Sequence, residues 1–340
     1  MEGIFAAVPT PFYSDEKVYL RKLEANIARY SRGSLAGVLV LGSTGEAVLL
    51  DEAESREVLR VMAAAAAPDK VLIAGVSRES VKSTVELAEA AAGLGYDAVL
   101  VRAPRYYAQQ MTSAAVLNYF RTVADRSPLP VLLYNVPQSN AYDLPIGLAA
   151  ELAQHPNIIG IKDSSGSVER IRELVEATRN APRRTVTVTP VFAAVTGRML
   201  KPEAGGDLVS IGAAGGVAVA PLKTRTKEVG FQVLSGSASS LLDSLEAGAS
   251  GGILGMAACA PGACLEVYFA WKDHDLKLAQ EKQERIARAN QRIVAELGVS
   301  GLKHACDFNG YYGGRARLPL LPLTAAEKAE VEGLLAGIRN

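Results

Sequence analysis

Lys162 closes the apolar run Ile158-Ile159-Gly160-Ile161-Lys162 and is followed by the polar stretch Asp163-Ser164-Ser165-Gly166. At the end of a buried strand, desolvation favours the neutral amine, the form of lysine that attacks a ketone. A surface lysine that merely closes a strand fits the same position equally well. Tyr134 ends the preceding apolar run, Val131-Leu132-Leu133-Tyr134, ahead of Asn135-Val136-Pro137. Neighbouring strand ends bring side chains together, so its phenol could move protons at a carbon bound to Lys162. Taken alone, Tyr134 reads more simply as an aromatic plug; its pairing with Lys162 shifts the balance. Gly42-Ser43-Thr44-Gly45-Glu46 lies between a strand and a helix, a tight turn with two adjacent hydroxyls and accessible amides. Such a turn suits a carboxylate, because N–H groups and hydroxyls supply charge-assisted hydrogen bonds without a bulky cation. It is neither a P-loop nor a dinucleotide fingerprint, since the lysine of the one and the glycine spacing of the other are missing.

These groups need a scaffold that gathers strand ends. Short β-rich runs alternate with segments of helical period: Ile4–Val8, Gly37–Leu41, Val71–Gly75, Ala98–Arg102, Val131–Tyr134, Ile158–Lys162, Gln232–Ser235 and Gly252–Gly255 read as strands. Eight in succession predict an α/β fold, a (β/α)8 TIM barrel with its reactive groups at the C-terminal strand ends. Between them lie helices such as Asp51–Ala66, capped by Asp51, and Ser80–Gly93. The barrel is expected over residues 1–271 and a C-terminal helical extension over 272–340, with helices at Leu276–Leu297, around Gly301–Asp307, and at Ala325–Ile338 behind Thr324 as N-cap. The gap from Ile158 to Gln232 is about twice the usual strand spacing, so an insertion is expected at about 181–230, between the sixth helix and the seventh strand. Its position puts it on the face opposite the reactive one, as an irregular excursion dispensable for chemistry, with docking of its apolar runs Val186–Val195 and Val217–Leu222 as a hairpin the alternative.

Together these residues carry a resemblance. The chain resembles the dihydrodipicolinate synthase/N-acetylneuraminate lyase family of class I, Schiff-base aldolases, through Pro9-Thr10-Pro11-Phe12, the Gly-Ser-Thr-Gly-Glu turn, Pro104-Arg105-Tyr106-Tyr107, Tyr134-Asn135-Val136-Pro137, Gly160-Ile161-Lys162-Asp163 and Leu234-Ser235-Gly236-Ser237. The likeness covers nearly everything outside the insertion. It implies that Lys162 forms the imine, that Tyr134 relays protons, and that Ser43 and Thr44 hold the carboxylate of a 2-oxo acid. By the same resemblance Tyr106 reaches a neighbouring subunit's site in a homo-oligomer, commonly a tetramer, and Ser139 and Ser164 join the substrate-binding set. Dihydrodipicolinate synthases carry an arginine where Ser139 stands, which disfavours that branch. The run Lys162–Gly166, the turn Gly301-Leu302-Lys303 and the tail Gly310-Tyr311-Tyr312-Gly313-Gly314 look most like 4-hydroxy-2-oxoglutarate aldolases. That branch often has asparagine where Thr44 stands here. The implied reaction is reversible cleavage of 4-hydroxy-2-oxoglutarate to pyruvate and glyoxylate, with no metal or organic cofactor. The alternatives are a 2-oxo-3-deoxy sugar-acid aldolase or dehydratase, a dihydrodipicolinate synthase-like enzyme, and a non-catalytic barrel acting as sensor or scaffold.

Composition narrows the partners. Among 340 residues, 36 Lys plus Arg balance 36 Asp plus Glu, so no overall basic field invites nucleic acid or an anionic membrane, and a small molecule is expected. At 49% apolar and 21% charged the chain can bury a large core. The nearest approach to a membrane span, Gly251–Leu265, is short and broken by Gly255, Pro261 and Gly262. Cys259, Cys264 and Cys306 cannot all pair internally and, with His155, His274 and His304, lack metal spacing; Cys259 and Cys264 read as packing groups and His155 as a cap on helix carbonyls. Met1-Glu2 leads directly into the first strand, and a cytoplasmic location is expected.

Overall fold

A computed structural model describes residues 1–189, 193–200 and 224–338. The apolar runs become β1 (Gly3–Ala7), β2 (Gly37–Val40), β3 (Val71–Gly75), β4 (Ala98–Arg102), β5 (Val131–Asn135) and β6 (Ile158–Asp163); β7 (Arg184–Val188) and β8 (Arg225–Val229) follow, then β9 (Gln232–Ser235) and β10 (Gly251–Leu254). All but β7 and β8 close into one barrel, in the order β1-β10-β9-β6-β5-β4-β3-β2, with every barrel pairing parallel. The expected (β/α)8 barrel is therefore the fold.

Side-chain alternation sorts the strands into two apolar layers. Phe5, Ala7, Leu39, Ile73, Leu100, Leu132, Leu234 and Ile253 fill the barrel interior. Their neighbours in sequence, among them Ala6, Val38, Val40, Leu133 and Ile161, face the surrounding helices. Each fully buried Val, Leu or Ile side chain contributes roughly 1.5–3 kcal/mol, so the double layer makes the strand register costly to shift. Tyr134 belongs to the inner layer, at the top of β5.

Helix starts follow the sequence signals. Asp51 accepts from the Glu54 amide while the Glu54 side chain returns to the Asp51 amide, a capping box opening the helix Glu52–Ala65. Thr324 and Glu327 repeat the arrangement for Ala325–Leu335. The helix expected over Leu276–Leu297 is α-helical to Asn290 and widens to a π-helical turn over Gln291–Glu296. The next helix starts earlier than expected, at Gly298, and ends at Phe308. Cys259, Cys264 and Cys306 are free and buried, and burial pushes each thiol up, that of Cys259 to about 12. His155 does not cap carbonyls. Its Nε2 lies 2.9 Å from an Asp125 carboxylate oxygen, and its Nδ1 accepts from the Asn157 amide at 3.1 Å.

The excursion after the helix Val168–Thr178 is not wholly irregular. β7 and β8 pair antiparallel from Arg184↔Val229 to Val188↔Arg225, a ribbon favoured by the β-branched run Thr185-Val186-Thr187-Val188. The ribbon lies at the N-terminal end of the barrel, where Lys227 pairs with Glu2 and an Arg184 Nη2–H donates to the Ile159 carbonyl at 3.1 Å. Between its described residues and the barrel base is a cavity of about 690 Å³. The run Val217–Leu222 lies outside the described residues. Among the described residues no helix is long and apolar enough to cross a membrane.

Candidate active site

The parallel register sets Tyr134 of β5 directly opposite Lys162 of β6, one level below the pair Asn135 and Asp163. Both side chains are buried, Tyr134 being 8% and Lys162 5% exposed. The Lys162 ammonium nitrogen lies 4.4 Å from the centre of the Tyr134 ring. Ser43, brought across the mouth by the turn after β2, places its Oγ 3.3 Å from the Tyr134 hydroxyl. Ser164, on the loop after β6, donates its amide to the Asn135 carbonyl at 2.8 Å. That packing requires a glycine opposite, because a Cβ on Gly236 would stand 1.9 Å from Ser164 Oγ. Tyr134 thus lies between Ser43 Oγ at its hydroxyl and the Lys162 ammonium over its ring. Burial works against its ionisation, but the Lys162 charge and the nearby donors of Ser43, Ser164 and Lys162 outweigh it and hold the phenol below its ordinary value.

The carboxylate-type turn is bounded by two non-glycine residues in the left-handed region, Leu41 (φ 58°) and Glu46 (φ 55°). Each such conformation costs about 1–3 kcal/mol and persists only where its surroundings impose it. The Gly45 amide donates to the Gly42 carbonyl and the Glu46 amide to the Ser43 carbonyl, both at 3.0 Å. Among the described residues the Ser43 and Thr44 amides donate to no protein acceptor. Ser43 is exposed to the mouth and Thr44 half-buried, with Thr44 Oγ1 facing Gly255, where an added Cβ would sit 3.7 Å away. Free amides beside two hydroxyls and a buried lysine can receive a carboxylate while the adjoining carbonyl carbon meets the amine.

Tyr106 and Ser139 stand apart from this cluster. Tyr106, on the loop after β4, is 81% exposed and packs edge-on against Tyr107 with ring centres 5.1 Å apart. Its amide and that of Arg105 donate to the Glu79 carboxylate at 2.8 and 2.7 Å, and Arg102 pairs with the same group at 3.1 Å. Ser139 is exposed on the short helix Pro137–Asn140, its amide donating to the Val136 carbonyl at 3.1 Å.

Sequence reasoning passed over the groups that fix Lys162. Asp163 points away from the barrel interior, and its carboxylate accepts from Asn135 Nδ2 and Arg170 Nε at 2.8 Å each and from the Ser165 amide at 2.9 Å. Asn135 also donates to Asp143, and Arg170 reaches both Asp143 and the Leu144 carbonyl. The available signal was strand parity: if Tyr134 and Lys162 face inward, Asn135 and Asp163 must face outward, and two buried polar groups there need partners.

The model of the Dihydrodipicolinate synthetase family matches in two segments, residues 1–220 and 180–337, which overlap in the stretch that carries β7 and the excursion. A 4-hydroxy-tetrahydrodipicolinate synthase of Acidiphilium cryptum is 29% identical over 99% of this chain and 98% of its own length. A probable mitochondrial 4-hydroxy-2-oxoglutarate aldolase of Emericella nidulans is also 29% identical, over 97% of this chain and 92% of its own. Among solved structures, the chloride-inhibited dihydrodipicolinate synthase of Acinetobacter baumannii complexed with pyruvate superposes with a TM-score of 0.79 at 27% identity, covering 99% of each chain.

Proposed function

The chain belongs to the dihydrodipicolinate synthetase family, as a lyase acting through a Schiff base, and we propose that it cleaves 4-hydroxy-2-oxoglutarate reversibly to pyruvate and glyoxylate. The observation that carries this reading is the convergence of Lys162, Tyr134 and Ser43 at one end of the barrel. In the proposal the Lys162 amine adds to the C2 ketone and water leaves, giving an imine. The substrate's C1 carboxylate lies on the amides and hydroxyls of Ser43 and Thr44. Tyr134, its phenol easier to ionise than usual, takes the C4 hydroxyl proton. The C3–C4 bond breaks, its electron pair moves into the protonated imine, and glyoxylate departs. Tyr134 returns its proton to C3 of the enamine, and hydrolysis frees pyruvate and Lys162.

Identity does not choose between the two named relatives, each 29% identical. The local chemistry favours the aldolase, because Ser139 leaves its position without the cation expected for a synthase's aldehyde substrate. We assign Ser164 to orienting Tyr134, and Tyr106 to completing a partner's site in a homotetramer, a role that suits its 81% exposure in the single chain. Three free thiols agree with a reducing, cytoplasmic setting. Incubation with pyruvate and borohydride, followed by intact mass, should add one reduced pyruvate per chain. Incubation with 4-hydroxy-2-oxoglutarate should release glyoxylate. A different aldehyde from a longer 2-oxo-3-deoxy sugar acid, with none from 4-hydroxy-2-oxoglutarate, would reassign the substrate but keep the imine; no adduct at all would refute the enzyme reading.

A further inference from the structure

Glu46 ends the carboxylate turn, and its own carboxylate points away from the mouth into the protein. The side chain is 1% exposed, as is that of Lys303, whose Nζ lies 2.5 Å from Glu46 Oε1. The approach is off the line of a hydrogen bond, charge against charge. Glu46 Oε2 accepts from the Arg317 amide at 2.7 Å. The Lys303 ammonium also donates to the Arg315 carbonyl at 2.6 Å and sits 4.4 Å from the centre of the Phe12 ring, with the Arg317 guanidinium 4.3 Å from the same ring. Arg317 makes a two-pronged pair with Glu54 at 2.7 Å for each prong and donates to the Leu49 carbonyl at 2.8 Å. From the other side, Thr10 Oγ1 donates to the Gly45 carbonyl at 2.7 Å.

We infer that Lys303 is a positioning residue for 2-oxo-acid binding, acting through its buried ion pair with Glu46 to hold the Ser43-Thr44 amides open to the substrate carboxylate. The inference rests on the proposed imine chemistry. Glu46 is held left-handed at φ 55°, a conformation that must be imposed from outside. The local backbone bonds (Gly45 to Gly42, Glu46 to Ser43, and Leu49 to the Glu46 carbonyl) fix the path of the turn, and the Glu46 side chain is held from outside by Lys303 and the Arg317 amide. Lys303 lies in the helix Gly298–Phe308 and Arg317 in the tail beyond it, so the C-terminal extension completes the substrate site without reaching into it. Removing Lys303 leaves a carboxylate buried without its charge partner, and the cheapest relief is rotation of Glu46 out of its pocket, carrying the turn with it. Burial pushes the Lys303 ammonium below its ordinary value while Glu46 opposes that push, as expected for a cation kept in the interior by one carboxylate.

The test is borohydride trapping of pyruvate as a function of its concentration in Lys303→Met, Glu46→Gln and the double variant. Each single variant should raise the half-saturating pyruvate concentration by about 10- to 100-fold, the range for displaced positioning groups, while still reaching one adduct per chain at saturation. The double variant should do no worse than the poorer single one, because the two residues act as a unit. A merely structural role would lower the melting temperature and the folded fraction without moving half-saturation in the protein that remains folded. Folded Lys303→Met with wild-type half-saturation overturns the inference, as does loss of adduct at saturation with half-saturation unchanged. If Lys303→Met does not fold, Glu46→Gln, which keeps its size and its acceptor for the Arg317 amide, decides by the same readings. Failure of wild-type protein to trap pyruvate overturns the functional reading instead, and is recognised by the missing wild-type adduct.

Discussion

The two ends of the barrel treat buried charge differently. At the C-terminal mouth Asp163 is paired with Arg170, and Glu46 with Lys303. At the N-terminal end Arg184 and Arg198 are pressed against the barrel base with no carboxylate in ion-pair range among the described residues. Among those residues each keeps Nε and Nη1 without an acceptor, and burial pushes both guanidinium groups down. An unsatisfied buried polar group costs about 1–3 kcal/mol. The ribbon that brings Arg184 there also leaves a cavity of about 690 Å³ beneath it. The mouth sets its buried carboxylates against cations, although Glu46 Oε1 and Arg317 Nε lack hydrogen-bond partners among the described residues, whereas the base meets its buried guanidinium groups with backbone carbonyls alone.

The contrast can be broken most sharply at Lys162. Lys162→Met should abolish borohydride trapping of pyruvate, and stoichiometric trapping in that variant would remove the imine from the mouth. The same variant tests the electrostatics. With the lysine charge gone and burial still opposing ionisation, the Tyr134 tyrosinate absorbance should shift to higher pH. Tyr134→Phe should come next, slowing carbon–carbon cleavage by about 10² to 10⁴-fold while pyruvate still traps. Unchanged turnover would take the phenol out of the mechanism. Arg170→Met leaves Asp163, with a side chain 1% exposed, without its cation, and should cost about 3 kcal/mol in denaturant unfolding. A loss below about 1 kcal/mol would place the pair among those that contribute little. The smallest effect is expected at the other end. Joining Asn180 to Gly230 through a short linker should leave pyruvate release intact and change stability by no more than about 1 kcal/mol, since closure entropy varies slowly with loop length. Loss of activity with fold and assembly intact would contradict the separation of the two ends; loss of the fold would show that the ribbon is part of the core.

Much of the mouth was legible because its signals are local. The apolar run ending in Tyr134, the next ending in Lys162, and the glycine-flanked turn at Ser43 and Thr44 each carry their own pattern, and the parallel order of barrel strands brings them together. The supporting pairs were not legible in the same way. Asp163–Arg170 joins a strand end to the following helix, and Glu46–Lys303 joins the start of the barrel to the extension, so neither shows as a period or a motif. The β7–β8 ribbon was hard to read because the pairing spans a long intervening segment, and Arg225-Thr226-Lys227-Glu228-Val229 lacks the apolar alternation that marks a half-buried strand.

The three thiols offer a use apart from catalysis. Cys259, Cys264 and Cys306 are each 0% exposed, with proton affinities raised by burial, so the native molecule offers no thiolate at neutral pH to a disulfide reagent. They lie on the two helices that follow β10 and on the helix that carries Lys303, across the junction between barrel and extension. Labelling must wait for that junction to part. Its rate, readable by mass without adding a probe, should therefore report opening of the structure around these helices.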